Sequence, residues 1–207
     1  MKLLLVLLGL LFPSAALADR FEQALAHVAE GQYSQAAAGF HELADDGDLT
    51  AAHNLAVLFA LGEGVPQSYA EATYWAWRAF LDGLTQAGPL ADLVLAELSE
   101  PERAALAERL EARFAPRAQD GQTQAMLALA VVLALLRVEP DLLAAHDWQS
   151  IAAALDHPSA GRAREETRKL MPPALRSEAS AHAVQAFRDW CAMREGAAPS
   201  SCRVVRP

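Results

Sequence analysis

The chain has 207 residues, 53% of them hydrophobic, which is enough for one sizeable core. Its formal net charge of −9 argues against a nucleic-acid partner, since binding phosphates takes clustered Lys and Arg, and against an anionic membrane surface. The acidity is spread along the chain and serves solubility.

Residues 1–18, MKLLLVLLGLLFPSAALA, have the layout of a secretory leader: positive Lys2, the apolar run Leu3–Phe12, then the small-x-small site Ala16-Leu17-Ala18. The run is shorter than the roughly 20 residues needed to span a bilayer. Cleavage after Ala18 would leave residues 19–207 as a periplasmic or secreted protein of charge −10 once Lys2 is gone, with no stable membrane insertion. The alternative is a leader retained as an anchor. No cysteine stands directly after the run, so a lipoprotein anchor is not expected.

From Arg20 onward the pattern is helical, rich in Ala and Leu, with hardly any strand alternation. Glycines, prolines and cap residues divide it into segments 20–30, 33–45, 49–61, 69–82, 86–98, 100–116, 122–137, 142–155, 158–170 and 174–195, followed by a tail over 196–207. Short connections predict antiparallel hairpins. Met126–Leu136, MLALAVVLALL, is apolar all round and too short for a membrane, so it predicts a helix buried on every side. Cys191 and Cys202 read as a disulfide tying the tail to the last helix; the other reading is two free thiols.

The stretch Gly62-Glu-Gly64-Val65-Pro66-Gln67-Ser68 reads as a chain reversal. Gly62 suits a left-handed helix end, Pro66 cannot continue a helix, and Ser68 with Glu71 forms a capping-box pattern for the next one. Gln67 stands where a phosphate-binding Gly-x-Gly-x-x-Gly loop would need its third glycine.

The reversal recurs. A shift of 73 residues carries Ala52, Val65, Ser68, Ala72, Trp75 and Ala79 onto Ala125, Val138, Asp141, Ala145, Trp148 and Ala152, and Ala87, Arg103 and Phe114 onto Ala160, Arg176 and Phe187. Ser68 and Asp141 are both favoured N-caps. The glycines do not recur, Leu135 and Arg137 standing in their places, so the second turn must be built differently. An offset of 73 is about two units of the 34–40 residues usual in helix-hairpin repeats.

The pattern Ala52-x-x-Leu55-Ala56-x-x-Phe59-x-x-Gly62-x-Gly64-Val65-x-x-Ser68-x-x-Glu71-Ala72-x-x-Trp75-x-x-Arg78-Ala79-x-x-x-Gly83 closely resembles the Sel-one-like repeat, a relative of the tetratricopeptide repeat. Gly31-x-Tyr33-x-x-Ala36-x-x-x-Phe40 resembles a tetratricopeptide-type opening unit. The likeness is best over 48–83 and degenerate over 122–156; Ala56 departs from the usual glycine and Ser68 from the usual aspartate. It implies an all-α fold, a right-handed α-solenoid of about five stacked hairpins over 19–195, that holds other proteins together and has no catalytic residues or cofactor. Some cysteine-rich bacterial relatives are linked to β-lactam binding, but they carry a disulfide in each repeat, which this chain lacks.

By that analogy the first helix of each hairpin lines a concave face. Thr50, His53, Val57 and Leu61, with Thr123, Met126, Ala130 and Ala134 at the same offset, are then candidates for a mostly apolar groove that takes a peptide or helix of another envelope protein. The plainer reading covers these positions with C-terminal helices. Tyr74 and Trp77 form a second apolar stripe, either an aromatic contact surface or core between hairpins. None of the six histidines shows His-x-x-x-His spacing, and neither Gly-x-Ser-x-Gly nor Ser-x-x-Lys occurs, so no metal site and no enzyme is expected. Two other classes stay open: a cell-wall hydrolase or β-lactam-binding protein, and a structural subunit of an envelope machine.

Overall fold

The computed structural model describes residues 14–194 and 199–205, and among them there is no strand. The leader expected over 1–18 falls mostly outside the described residues. The helices are α1 (Ser14–Ala29), α2 (Tyr33–Asp45), α3 (Leu49–Leu61), α4 (Tyr69–Leu81), α5 (Gly88–Leu95), α6 (Glu100–Gln119), α7 (Thr123–Val131), α8 (Leu142–Ala154), α9 (Ala160–Leu170), α10 (Pro173–Ala192) and the short α11 (Cys202–Val205). No described helix is long and apolar enough to cross a membrane.

Local chemistry places the ends. Asp48, Ser68 and Asp141 each accept a hydrogen bond from the backbone N–H three residues on, at 2.8, 3.2 and 2.9 Å, satisfying donors that a helix start leaves free. Ser99 donates both its N–H and its hydroxyl to Glu102. Gly62 ends α3 at φ +72°, with its own N–H and that of Glu63 both donating to Leu58 O. Gly64, at φ +73°, has a second duty: a Cβ there would lie 2.2 Å from the carbonyl C and O of Tyr33. The turn therefore sits directly on the first turn of α2, where Ser34 Oγ donates to Gly64 O.

Each hairpin packs on the next, giving the all-α, solenoid-like stack that the sequence implied. α1 packs on α2, α2 on α3, α3 on α4, α6 on α7 and α7 on α8. The other two pairs are looser: α6 packs mainly on α4 and α7, and α9 and α10 both pack on α8. One continuous core runs through the stack, including Phe40, Leu55, Trp75, Leu110, Phe114, Met126 and Leu136. Trp148, the counterpart of Trp75, also packs against it, though half-buried. Cys191 and Cys202 form a disulfide that holds α11 against α10.

The stack is a duplication. The 13-residue α4 and α8 start at Tyr69 and Leu142, and the 20-residue α6 and α10 at Glu100 and Pro173, 73 positions apart in both cases. Gly83 and Asp156, at the same offset, both have positive φ, +122° and +64°. The four-helix unit α3–α6 is thus repeated as α7–α10, each fourth helix packing back on the second.

In α3 and α7 the register differs from the expected one. Buried Ala51, Ala52, Leu55, Ala56 and Leu58 correspond to buried Ala125, Met126, Leu129, Ala130 and Val132, an offset of 74. Gly47 and Gly121, also 74 apart, share a left-handed backbone. The second turn is one residue shorter and uses no glycine: α7 continues as a π-helical turn over Val132–Leu136, with Arg137 N–H donating to Val132 O. Both turns close on the same bond, from Ser68 N to Phe59 O and from Asp141 N to Leu133 O.

Candidate functional site

Thr50, His53, Val57 and Leu61 share one face of α3. Thr50 and Leu61 are exposed, Leu61 at 60%, while His53 and Val57 are half-buried. His53 Nδ1 has no partner, and burial lowers the imidazole's pKa, which favours the neutral ring. Val57 and Leu61 line an apolar cleft of about 310 Å³ with Ala60, Tyr69, Leu90, Leu93, Val94 and Glu97, from α3, α4 and α5. Leu93 is 65% exposed, so two large leucines, one from α3 and one from α5, face solvent at this cleft.

On α7 the candidates need correction. Met126 and Ala130 are fully buried and Ala134 is 7% exposed, so these three are core and offer no groove; Thr123 is half-buried. The cause is the one-residue change of register, which brings Gln124, Leu127, Val131 and Leu135 to the positions of Thr50, His53, Val57 and Leu61. Leu135 is 54% exposed, matching Leu61. The apolar run is therefore buried except along this edge.

Tyr74 and Trp77 are not an aromatic contact surface either. Trp77 is 5% exposed, donates Nε1–H to Ala91 O at 3.2 Å and meets Phe80 edge-on. Tyr74 is half-buried, and the Arg109 guanidinium lies 3.9 Å above its ring. The helix between two neighbours has its aromatics in use on both sides.

Arg109 belongs to a feature the segment-by-segment reading missed. Arg109, Arg113 and Arg117 stand four apart on α6 and face α4. Arg109 makes two bonds to Glu71, and Arg113 and Arg117 both reach the Asp82 carboxylate, at 3.1 and 2.7 Å. Glu71 is thereby diverted from the expected capping box, of which only the Ser68 half forms. Deeper in, Arg78 is 3% exposed, donates to Ala44 O and lies over the Trp75 ring; burial, and secondly Arg113, lowers its pKa. The four-residue spacing of the α6 arginines was the available signal.

The second unit carries a different pair at the matching seam. Asp147 and His182, the counterparts of Tyr74 and Arg109, meet at 2.6 Å between α8 and α10. Asp147 is 6% exposed, and desolvation pushes its pKa up to about 6 against the pull of His182. An imidazole oriented by a buried carboxylate could serve as a base, but among the described residues no serine or cysteine hydrogen-bonds His182. The pair occupies a packing seam. No group of three or more His, Cys, Asp or Glu that could hold a metal occurs among the described residues.

No protein-family model matches the chain, and comparison with curated proteins gives no match.

Proposed function

We propose that the chain is an exported protein of the Sel-one-like kind that acts as an interaction scaffold, taking a peptide or helix of another envelope protein against the α3–α5 cleft. The carrying observation is the pair of exposed leucines, Leu61 on α3 and Leu93 on α5, that line one apolar cleft. Exposed apolar clefts of this kind are where amphipathic segments dock, with little change of shape in the host. The like exposure of Leu135 extends the apolar character along the stack. A role in regulating envelope signalling or assembly rests on the family resemblance alone.

Export is supported by the leader pattern and by the disulfide, a bond that persists in oxidising compartments. Phe21 and Ala24, which anchor α1 in the core, both follow the proposed cut after Ala18. Edman sequencing of protein recovered from the native host should begin at Asp19; an intact Met1 would refute cleavage. Crosslinking with mass spectrometry in that host tests the scaffold. L61E with L93E, both at exposed sites, should remove crosslinked partners without altering the circular dichroism melt, and an unchanged partner set would refute the docking face.

A further inference from the structure

The two four-helix units differ in the space enclosed by their second, third and fourth helices. In the first unit that space is filled. Trp77, Leu81 and Leu110 are 5%, 4% and 0% exposed, and the Trp77 indole spans to Ala91 O on α5. At the matching positions of the second unit stand Ser150, Ala154 and Ala183. Three small side chains stand where the first unit has large apolar ones, and a cleft of about 510 Å³ lies between α8, α9 and α10. That lies within the roughly 300–1,000 Å³ of small-molecule sites.

The walls have changed as well. Where α5 has Ala91 and Leu95, α9 presents Arg164 and Arg168, and Arg176 joins them from α10. Glu165 is the one acidic residue of the lining, against three arginines, in a chain of net charge −9. Glu165 pairs with Arg168 at 2.9 Å and meets Arg164 at 3.9 Å, so the cleft keeps an excess of positive charge. Arg176 spends its Nε and one amino group on Met171 O and Lys169 O, which fixes it at the rim.

At the base lies His146, 3% exposed, whose Nδ1 has no hydrogen-bond partner. Burial first, and then Arg164, lowers its pKa, so it stands as a neutral ring able to donate or accept. A wet helix face would account for the arginines on α9. It does not account for the small side chains behind them, which border an opening where the first unit has Trp, Leu and Leu.

We propose that this cleft binds a small organic anion, its phosphoryl or carboxylate group held by Arg164 and Arg168 and its apolar part against Val184 and Phe187. Guanidinium groups bind such oxyanions through charge-assisted hydrogen bonds. The site is independent of the α3–α5 cleft and does not depend on the scaffold reading.

Calorimetric titration of the full chain with phenyl phosphate, benzoate and the neutral benzyl alcohol tests it, followed by NMR of the backbone amides and the His146 ring. At least one anion should bind saturably at one site and the alcohol should not, with shifts centred on His146 and Ser150. Arg168→Gln should weaken binding about tenfold or more. Ser150→Trp combined with Arg164→Ala rebuilds the packing of the first unit and should abolish binding while the chain stays folded. The proposal is overturned if neither anion saturates, if shifts scatter over surface arginines away from the cleft, or if Arg168→Gln binds as tightly as wild type. Should the double variant fail to fold, Arg168→Gln, an exposed position, decides.

Discussion

Gly64 and Gly31 hold nearly the same backbone, φ +73° and +72°, but differ in what surrounds them. A Cβ on Gly31 meets nothing within 4 Å, so Gly31→Ala costs the left-handed strain alone, about 1–2 kcal/mol. A Cβ on Gly64 would lie 2.2 Å from Tyr33 C and O and 2.6 Å from Ser34 N, all backbone atoms, where ordinary contact begins near 3.4 Å. Backbone cannot rotate away, so the turn must lift from α2 by about an ångström. That overpacking costs about 1–3 kcal/mol beyond the strain, and the bond from Ser34 Oγ to Gly64 O is lost with it, worth about 1 kcal/mol. Gly64→Ala should therefore cost about 3–6 kcal/mol. For a chain of this size each kcal/mol lowers Tm by about 2–4 °C, so the expected drop is on the order of 10 °C, against about 4 °C for Gly31→Ala. Urea and thermal unfolding of the two variants side by side make the measurement. If Gly64→Ala melts no lower than Gly31→Ala, the claim that the glycine turn is a docking point between repeats is wrong.

Asp147 makes a pH prediction. Its pKa is raised from 3.8 to about 6, so the native state holds this proton more tightly than the unfolded chain. The stabilisation from this group is complete below about pH 3.8 and is lost as pH rises through about 6, a swing of about 3 kcal/mol at 1.4 kcal/mol per unit. Asp147→Asn, which keeps an acceptor for His182, should thus be more stable than wild type at pH 7 and no different at pH 3.8; a gap in urea midpoint that is the same at both values would contradict this. Reducing the Cys191–Cys202 disulfide should cost at most about 3 kcal/mol on the chain-entropy estimate. Hydrogen exchange should speed up in α11 and the end of α10; exchange that speeds up across α3 and α4 as well would show the bond supporting the whole stack.

What the sequence made legible was set by residues with one mechanical role. The caps Ser68 and Asp141 and the terminator Gly62 marked the starts of α4 and α8 and the end of α3, because a satisfied N–H or a left-handed φ has few residue types that supply it. Where two signals competed, the expectation slipped. Gly88-Pro89 cut the expected segment 86–98, leaving a 3₁₀ turn at Thr85–Ala87 and the short α5, whereas α6 runs through the exposed Pro116 to Gln119. The register error on α7 has a sharper cause. A periodic pattern gives a helix's phase only if it has a polar side, and Ala125–Leu136 has none. Sliding it by one residue changes nothing visible in composition, yet exchanges Met126 and Ala130 for Leu127 and Val131 at the surface. Gly47 and Gly121 hold the correct offset, but the more conspicuous Ser68 and Asp141 hold the other.

The polar cleft was illegible for a related reason. A serine at 150 is unremarkable until position 77 is known to be its counterpart and Trp77 is seen to fill the space between three helices. Duplication makes such losses interpretable, because the first unit supplies the packed reference that a single copy lacks. Within one molecule, corresponding positions hold buried Trp77, Leu81 and Leu110 in one half and Ser150, Ala154 and Ala183, which line an opening, in the other. A chance loss of packing would leave the new opening apolar. Arg164 and Arg168 replace Ala91 and Leu95 on the wall of that same opening, and this joint change of volume and charge is what assigns the cleft to an anion.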